Sequence, residues 1–329
     1  MAEKGIKGNT NRIRLEEHIP LDTPLHVLLD ASSVCNFHCS FCPHGNKDAL
    51  EMMSQAIMSV ELAEKCIDDL TMFPRKIKRI SFFENGEPLV NPNLPEIIAY
   101  AKSKRVSDCF CITTNASLLT REKSKELIDA GLNHIDISIY GLDDKTYLEF
   151  SHNQISFKKI LNQVSDCFDQ MKNGEVVVKI TDAVIHSQEE LDRFYEMFSP
   201  ICNKICVEHV VPMWYDFELE TSYDGRNIYG KPVIHKDVCP IPFYELSVQA
   251  NGLITPCCND WKHSCILGDA TKDSIFSVWN GKKHNDMCKT LLKQGTKSLY
   301  PCNRCHYHEF VGMDNIDDYR YQLLERMGD

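Results

Sequence analysis

The sequence of 329 residues has no long apolar run and no excess of positive charge. No stretch approaches 18 consecutive apolar residues, and the N-terminus lacks the apolar core of a secretory signal, so neither a membrane-spanning helix nor a signal peptide is predicted. The 36 Lys and Arg face 47 Asp and Glu, for a net charge of −11, which argues against a surface that neutralises many phosphates. We therefore expect a cytoplasmic protein that binds neither a membrane nor a nucleic acid.

Cysteine, in contrast, is abundant, with 16 residues in the chain. Seven of them stand in spacings typical of metal ligands, which fits a reducing cell interior better than a disulfide scaffold. An apolar fraction of 43% with ordinary Gly and Pro content indicates a folded chain with a sizeable core. The length suits one barrel-sized domain and a smaller one.

The most informative cysteines are Cys35, Cys39 and Cys42, which form a tight triplet with no fourth cysteine nearby. Three thiolates can hold a four-iron cluster and leave one iron without a protein ligand, and such an iron is a reaction site. Structural zinc usually takes four ligands, which His38 or His44 could complete, so a zinc site is the alternative.

Apolar β-rich runs alternate with helical patterns from Leu25 to Val211, which predicts repeated βα units around a parallel sheet. The predicted strands are 25–32, 77–83, 109–114, 134–140, 175–181 and 205–211. The predicted helices are 60–72, 94–104, 120–130, 143–171 and 188–198, with a capping box at Ser187 and Glu190 and a helix stop at Gly131. Six units are too few for the usual eight-stranded barrel, so we predict an α/β fold with an open (β/α)6 partial TIM barrel, the alternative being a doubly wound sheet.

In both architectures, chemistry lies at the carboxyl ends of the strands. The cysteine triplet follows the first strand, residues 84–88 follow the second, and Asn115 follows the third. The predicted division of the chain is an N-terminal extension, the barrel, an aperiodic bridge, a small C-terminal domain and a tail, at 1–24, 25–211, 212–238, 239–310 and 311–329.

The triplet, with Phe41 before its last cysteine, resembles the signature of the radical S-adenosylmethionine (SAM) enzymes. The resemblance implies that the open iron binds SAM, which is cleaved to a 5′-deoxyadenosyl radical that abstracts a substrate hydrogen. Residues 84–88 resemble the Gly-Gly-Glu-Pro element of that family, with Asn85 in place of the first glycine. The SAM contacts that the resemblance implies are Phe41, Gly86, Glu87, Asn115 and Ser138.

Near the C-terminus, Cys239, Cys257, Cys302 and Cys305 supply four thiolates, enough to saturate a second cluster. Structural zinc is again the alternative, because His306 and His308 lie close by. Cys258 could replace Cys257 as a ligand, donate a hydrogen atom, or be buried. The arrangement resembles the SPASM/twitch extension of radical SAM enzymes, and since no cysteine follows Cys305 the resemblance implies one auxiliary [4Fe-4S] cluster.

The chain is similar to twitch-bearing aminocyclitol dehydrogenases and to anaerobic sulfatase-maturase-like enzymes. The resemblance implies two [4Fe-4S] clusters, SAM, and a flavodoxin or ferredoxin-type electron donor. The resemblance implies that many peptide-modifying members carry a separate leader-recognition domain before the barrel, whereas only about 24 residues precede the first predicted strand here. A small sugar or aminocyclitol, which the enzyme oxidises or epimerises, is therefore the favoured substrate. A radical maturase of a peptide or protein and a non-catalytic metal-binding protein are the alternatives. Candidate bases, hydrogen donors and substrate contacts are Lys179, His209, Glu208, Tyr140 and Cys258.

Overall fold

The computed structural model describes residues 2–5, 13–219, 223–311 and 314–328, and its central element is an open sheet of ten strands. Parts of the predicted extension, bridge and tail (1, 6–12, 220–222, 312–313 and 329) lie outside the described residues. The strands are β1 (Glu3–Lys4), β2 (His26–Leu29), β3 (Arg79–Ser81), β4 (Phe110–Thr114), β5 (His134–Ile139), β6 (Glu175–Thr181), β7 (Lys204–Glu208), β8 (Glu245–Val248), β9 (Leu253–Thr255) and β10 (Gly268–Asp269).

The strand order is β1-β7-β6-β5-β4-β3-β2-β8-β9-β10, and β2 to β7 are parallel and consecutive. The six predicted strands keep their chain order across an open, mostly parallel sheet, as in a barrel, so the open partial barrel is confirmed. β8 pairs in parallel with β2, and β9 and β10 continue antiparallel. The short β1 pairs with β7 at the other edge. All six predicted strands are present, four of them within narrower bounds, 175–181 with the predicted bounds, and the last shifted to begin at Lys204.

The helices of the described residues are α1 (Leu15–His18), α2 (Lys47–Met52), α3 (Val60–Leu70), α4 (Leu94–Lys104), α5 (Arg121–Ala130), α6 (Asp144–Ser151), α7 (Phe157–Gln170), α8 (Gln188–Phe198), α9 (Ile275–Trp279), α10 (Lys282–Gln294), α11 (Tyr307–Phe310) and α12 (Arg320–Arg326). The predicted single helix 143–171 is wrong, because it is two helices, α6 and α7. His152 follows α6 with a φ of 50°, a left-handed conformation that ends a helix. Gly131 ends α5 with a φ of 124°, and the Ser187 hydroxyl caps α8, as predicted. No helix among the described residues is long and apolar enough to cross a membrane.

Side-chain alternation along the strands gives the sheet an apolar outer face and a polar inner face. On β5, Ile135, Ile137 and Ile139 belong to the main hydrophobic core, as do Val176, Val178 and Ile180 on β6. Because alternate residues of a strand face opposite ways, Ser138 and Lys179 lie on the other face. The barrel interior therefore carries the polar residues that can meet a ligand.

Candidate active site

The loop after β2, residues 30–46, carries the cysteine triplet. The Cys42 N–H donates to the Cys39 carbonyl at 3.0 Å, and the Gly45 N–H donates to the Cys42 carbonyl at 2.8 Å, which brings the cysteines onto a compact turn. A Cβ on Gly45 would lie 2.8 Å from the carbonyl carbon of Cys39, so this turn excludes any larger residue there. Cys39 is buried and Cys35 and Cys42 are half-buried.

The environment of the triplet favours a bound metal centre. Burial raises the pKa of the Cys35 thiol to about 12 and that of Cys42 to about 11, and it raises the pKa of Cys39 well above its usual range. Mutual repulsion between the thiols adds to the shift at Cys35 and Cys39. Three buried thiols that resist ionisation become thiolates when a positive metal centre offsets their charge, so the residues present fit an iron–sulfur cluster.

The two histidines near the triplet are engaged elsewhere. His44 Nε2 donates to the Asn85 carbonyl at 2.7 Å, and His38 Nδ1 donates to the His44 carbonyl at 3.0 Å. Burial also lowers the pKa of His44. These contacts hold the cysteine loop against residues 84–88 rather than presenting both rings as metal ligands.

Spacing of the cysteine sulfurs also argues against zinc. Among the described residues, three or more potential metal-ligand atoms lie within 4.8 Å of one another only at Cys111, His134 and Asp136. Tetrahedral zinc would place ligand sulfurs about 3.8 Å apart. Among the described residues, neither the triplet nor the four C-terminal cysteines form such a group, so their sulfurs are spaced more widely than a tetrahedral zinc site requires.

Residues 84–88 lie directly against the cysteine loop. The Glu87 N–H donates to the Val34 carbonyl at 3.0 Å, and a Cβ on Gly86 would lie 2.5 Å from the same oxygen. Only glycine allows the two loops to approach this closely. Asn85, which replaces a family glycine, does not adopt a positive φ, and its amide donates to Gln249 Oε1 at 2.8 Å.

The carboxylate of Glu87 is anchored at the end of β4. Oε1 accepts from the Thr114 hydroxyl at 2.6 Å and from the Leu89 N–H at 3.1 Å, and Oε2 accepts from the Asn115 N–H at 2.8 Å. Burial raises the pKa of Glu87 to about 7. A fixed carboxylate with a raised pKa gains from a cationic neighbour, such as the ammonium group of SAM.

Asn115 is fixed from two sides. Its Nδ2 donates to Asn36 Oδ1 at 2.9 Å, and its Oδ1 accepts from the Ser117 hydroxyl at 2.6 Å. Ala116 follows with a φ of 60°, a strained left-handed conformation that often marks functional sites. Sequence reasoning missed Asn36, whose position directly after Cys35 was the available signal.

Aromatic residues pack over the triplet. Phe41 stacks on Tyr140 with ring centroids 5.8 Å apart, and Phe37 meets Tyr140 edge-on at 5.9 Å. The Tyr140 hydroxyl hydrogen-bonds with Cys39 and with Ser138, and burial raises its pKa well above the usual range. The structure thus brings Phe41, Tyr140 and Ser138 together beside the triplet.

Cys239, Cys257, Cys302 and Cys305 meet in a second buried cluster. Burial raises the pKa of Cys257 well above the usual range, and repulsion from the adjacent Cys258 and then from the other three thiols adds to the shift. Cys305 Sγ accepts from the Tyr307 N–H at 3.4 Å and from Asn259 Nδ2 at 3.3 Å. Donors of this kind tune cluster sulfurs. His306 and His308 bind Glu309 and the Lys236 carbonyl instead.

Cys258 lies apart from this cluster, although it adjoins Cys257. Its N–H donates to Glu245 Oε1 at 3.1 Å and its Sγ donates to the Tyr307 hydroxyl at 3.5 Å. Glu245 in turn binds His26 Nδ1 at 2.8 Å. The geometry therefore groups Cys257 with the other cysteines and Cys258 with barrel residues; sequence reasoning missed Tyr307, which carried no motif.

The remaining candidates lie on the far strands. Lys179 Nζ donates to Glu208 Oε2 at 2.9 Å across β6 and β7. His209, just past the end of β7, binds Asp182 through Nδ1 and Asp224 through Nε2, the latter at 2.9 Å. Lys179 and Glu208 therefore face the barrel interior as an ion pair, and His209 is held at its rim.

Two family models match the chain. That of the radical SAM superfamily covers residues 31–198, and that of an iron–sulfur cluster-binding domain, SPASM, covers residues 239–306. The first contains the triplet and the predicted SAM contacts. The second contains the four C-terminal cysteines up to Cys305.

Curated relatives divide into partial and end-to-end matches. A GTP 3′,8-cyclase of Chlorobaculum tepidum is 29% identical over 175 residues, 52% of this chain and 49% of that protein. The chain thus spans about half or less of the relatives that match it first. A tungsten-containing aldehyde ferredoxin oxidoreductase cofactor-modifying protein of Pyrococcus furiosus is 29% identical over 344 residues, 89% of this chain and 91% of that protein.

Solved structures share the fold at low identity. BtrN, in complex with AdoMet and 2-DOIA, superposes with a TM-score of 0.57 at 17% identity, over 86% of this chain and 92% of BtrN. SuiB of Streptococcus suis, bound to the precursor peptide SuiA, superposes with a TM-score of 0.66 at 14% identity, over 92% of this chain and 74% of SuiB. At these identities the likeness establishes the architecture.

Proposed function

The chain belongs to the radical SAM superfamily, and we propose that it abstracts a hydrogen atom from a sugar or aminocyclitol-type small molecule to oxidise or epimerise it. [4Fe-4S] clusters and SAM are its cofactors. We assign one cluster to Cys35, Cys39 and Cys42 and the auxiliary cluster to Cys239, Cys257, Cys302 and Cys305. A flavodoxin or ferredoxin-type protein is the proposed electron donor.

The observation that carries the proposal is the polar inner face of β5 to β7, which belongs to the same sheet as β2 and β9, the strands that lead into the two cysteine sets. When bound, SAM and the clusters supply the radical that removes hydrogen and an acceptor for the second electron of an oxidation. The chain's own part is to bind the substrate and move its hydroxyl proton. Glu208, held by Lys179 at 2.9 Å, is placed to receive that proton.

Five further residues have proposed roles. Glu87 faces the ammonium group of SAM, and Asn115 and Ser138 meet its polar groups. Phe41, stacked on Tyr140, shields the adenine side from water. Cys258 is the hydrogen donor if the substrate is epimerised, because its thiol lies among barrel residues.

The test is anaerobic turnover of the reduced holoenzyme with SAM and a panel of sugars, aminosugars and cyclitols. We expect one class to stimulate 5′-deoxyadenosine release and to yield a product. In deuterated water an oxidised product carries a carbonyl and no solvent label, whereas an epimer carries deuterium on the inverted carbon, lost in Cys258→Ala. Stimulation by a peptide alone would contradict the proposal and favour a maturase.

A cofactor precursor is the second candidate substrate. The relative that aligns over nearly the whole of both chains is named as a cofactor-modifying protein. The same assay, with cofactor precursors in place of sugars, separates the two candidates, because only the true substrate class should raise 5′-deoxyadenosine release and appear as a changed product.

A further inference from the structure

Glu84 and Asp30 place two carboxyl groups deep in the barrel beside the proposed SAM site. Glu84 accepts from Gln249 Nε2 at 2.7 Å and from the Ser247 hydroxyl, both on or next to β8. Asp30, at the end of β2, is completely buried and accepts from the Ser33 hydroxyl at 2.5 Å. Glu84 is less buried than Asp30, so it is the carboxyl that a ligand in the barrel can reach.

The side chain of Glu84 points away from that of Glu87. Glu87 binds Thr114 and Asn115 at the end of β4, whereas Glu84 binds Ser247 and Gln249 of β8. In the sheet, β3 separates β4 from β2 and β8. Glu84 therefore lies on the side of the barrel from which the chain continues to the auxiliary cysteines.

These carboxyls have hydrogen-bond donors but no cationic partner. Among the ion pairs of the described residues, none involves Asp30 or Glu84. The titratable groups that face Glu84 are Asp30, Glu245 and Cys258, of which Glu245 is paired with His26. Burial, then repulsion from Asp30, raises the pKa of Glu84, and burial raises that of Asp30 to about 6.

Two buried acceptor atoms beside this pair strengthen the case for a ligand. Asn85 Oδ1 and Asp30 Oδ1 are buried and accept no hydrogen bond of good geometry among the described residues, although the backbone N–H groups of Asn85, Ala250 and Ser32 lie near the Asp30 carboxyl. The Asn85 amide group binds Gln249, the side chain that also binds Glu84. Buried acceptors are normally satisfied, and a carboxyl pair without a cationic partner beside these acceptors favours a ligand rich in donors and positive charge.

We propose that Glu84 binds an ammonium group of the substrate, with Asn85 and Asp30 behind it, so that the substrate is an amine-bearing molecule. The inference rests on the proposed function in that the ligand of the barrel is taken to be the substrate. A primary ammonium offers three N–H donors and one charge, which matches these acceptors. Binding should release a proton wherever Glu84 is protonated in the free protein, because the cation favours the ionised form of Glu84.

The experiment uses the unreduced holoenzyme with SAM bound and two probes of equal shape, cyclohexylammonium and cyclohexanol. Calorimetry in buffers of different ionisation enthalpy measures affinity and proton release. We expect the ammonium to bind about 10- to 100-fold more tightly than the alcohol, with proton release, and Glu84→Gln to abolish both the preference and the release. Glu84→Asp should keep the preference.

Glu175→Gln is the matched control, because it removes the same charge from the opposite end of the barrel, where Glu175 pairs with Lys204 at 2.8 Å. It should leave the probe affinities unchanged within about twofold. Equal binding of the two probes, or a preference that survives Glu84→Gln, overturns the proposal. So does a Glu84→Gln variant that loses SAM affinity but keeps the preference, because the cation would then be that of SAM.

The outcome separates this inference from the proposed function. If Glu84 binds the ammonium probe but no sugar or cyclitol is turned over, the function is wrong and the inference stands. If cyclitols are turned over with no preference for the amine and the probe does not bind, the inference alone fails.

Discussion

At the residue scale, neighbouring side chains of this protein serve different parts of the site. Cys257 joins the auxiliary cysteines while Cys258 contacts Tyr307 and Glu245. Glu87 is anchored to β4 and Glu84 to β8. The sequence therefore identifies the residues of a motif. The direction in which each side chain points depends on contacts with distant parts of the chain.

Glu87→Gln should weaken SAM binding by about 1.5–3 kcal/mol while both clusters stay intact, because the variant loses a charge-assisted contact with the SAM ammonium. Burial raises the pKa of Glu87 to about 7, so wild-type SAM affinity should rise as the pH increases through 7 and the carboxylate ionises. Equilibrium binding measured between about pH 6 and 8 checks both points. If the substitution leaves both the SAM affinity and its pH dependence unchanged, residues 84–88 form a structural turn without a role in SAM binding.

Cys257→Ala and Cys258→Ala form a matched pair that tests the direction of each thiol. Cys257→Ala should lose iron from the auxiliary cluster, because it removes one of the four thiolates that close that site. Cys258→Ala should keep all the iron, since its thiol contacts Tyr307 rather than the other cysteines. Iron analysis after anaerobic reconstitution measures the iron content of each variant. Loss of iron in Cys258→Ala and not in Cys257→Ala would show that Cys258 is the cluster ligand.

At the element scale, the cysteine loop keeps its shape because glycines allow other backbone segments to touch it. Gly86 approaches Val34 and Gly45 approaches Cys39, and neither position has room for a Cβ. His44 adds a hydrogen bond from the cysteine loop to Asn85. The loop that carries the triplet and the loop that carries Glu87 therefore form one packed unit.

Gly86→Ala should separate these loops and strongly reduce SAM cleavage, because the added Cβ would lie 2.5 Å from the Val34 carbonyl oxygen. Gly5→Ala is the control, since no atom lies within 4 Å of a Cβ at that position. Gly86→Ala should have both a lower melting temperature and a lower yield of 5′-deoxyadenosine than Gly5→Ala. A Gly86→Ala enzyme as active as Gly5→Ala would show that the close approach is dispensable.

Elements of the barrel were predictable because their periodicity is local, and those that depend on remote pairing were not. The strand and helix periods located β2 to β7 and most of the helices that follow them. The break at His152 lies within a continuous helical pattern, and its left-handed φ is set by the fold. Pairing of β8 with β2 joins residues more than 200 positions apart, and no local pattern encodes it.

The residues of the candidate site also divide into those that the sequence predicts and those that become relevant only through the fold. Cys35, Cys39 and Cys42 stand close in sequence, so their spacing predicts a shared ligand set. Asn36 and Tyr307 carry no motif and become relevant only through contacts with Asn115 and Cys258. Glu84 lies inside a motif, but the β8 residues that turn it inward come from a distant segment.

At the scale of the whole molecule, one sheet supports both cysteine sets. The triplet follows β2, and Cys257 follows β9, which pairs with β8 beside β2. The polar inner face of β5 and β6 lies within the same sheet. Substrate, SAM and both clusters can therefore be held by a single framework.

The anaerobically reconstituted protein should contain about eight irons, in one open and one closed set of ligands. Replacing Cys35, Cys39 and Cys42 together by Ala should leave about half of that iron, because the four C-terminal cysteines are intact. Iron and sulfide analysis with Mössbauer spectroscopy measures this. A stoichiometric zinc content instead of iron would contradict both cluster assignments.

The most direct test of the central claim is SAM cleavage by the reduced, anaerobic protein, followed as 5′-deoxyadenosine and methionine. We predict that the wild-type protein releases both and that the triple Cys35, Cys39 and Cys42 to Ala variant releases neither while retaining the auxiliary cluster. Cleavage that persists in the triple variant, or a wild-type protein that never cleaves SAM, would contradict the claim that these three cysteines hold a cluster with an open iron.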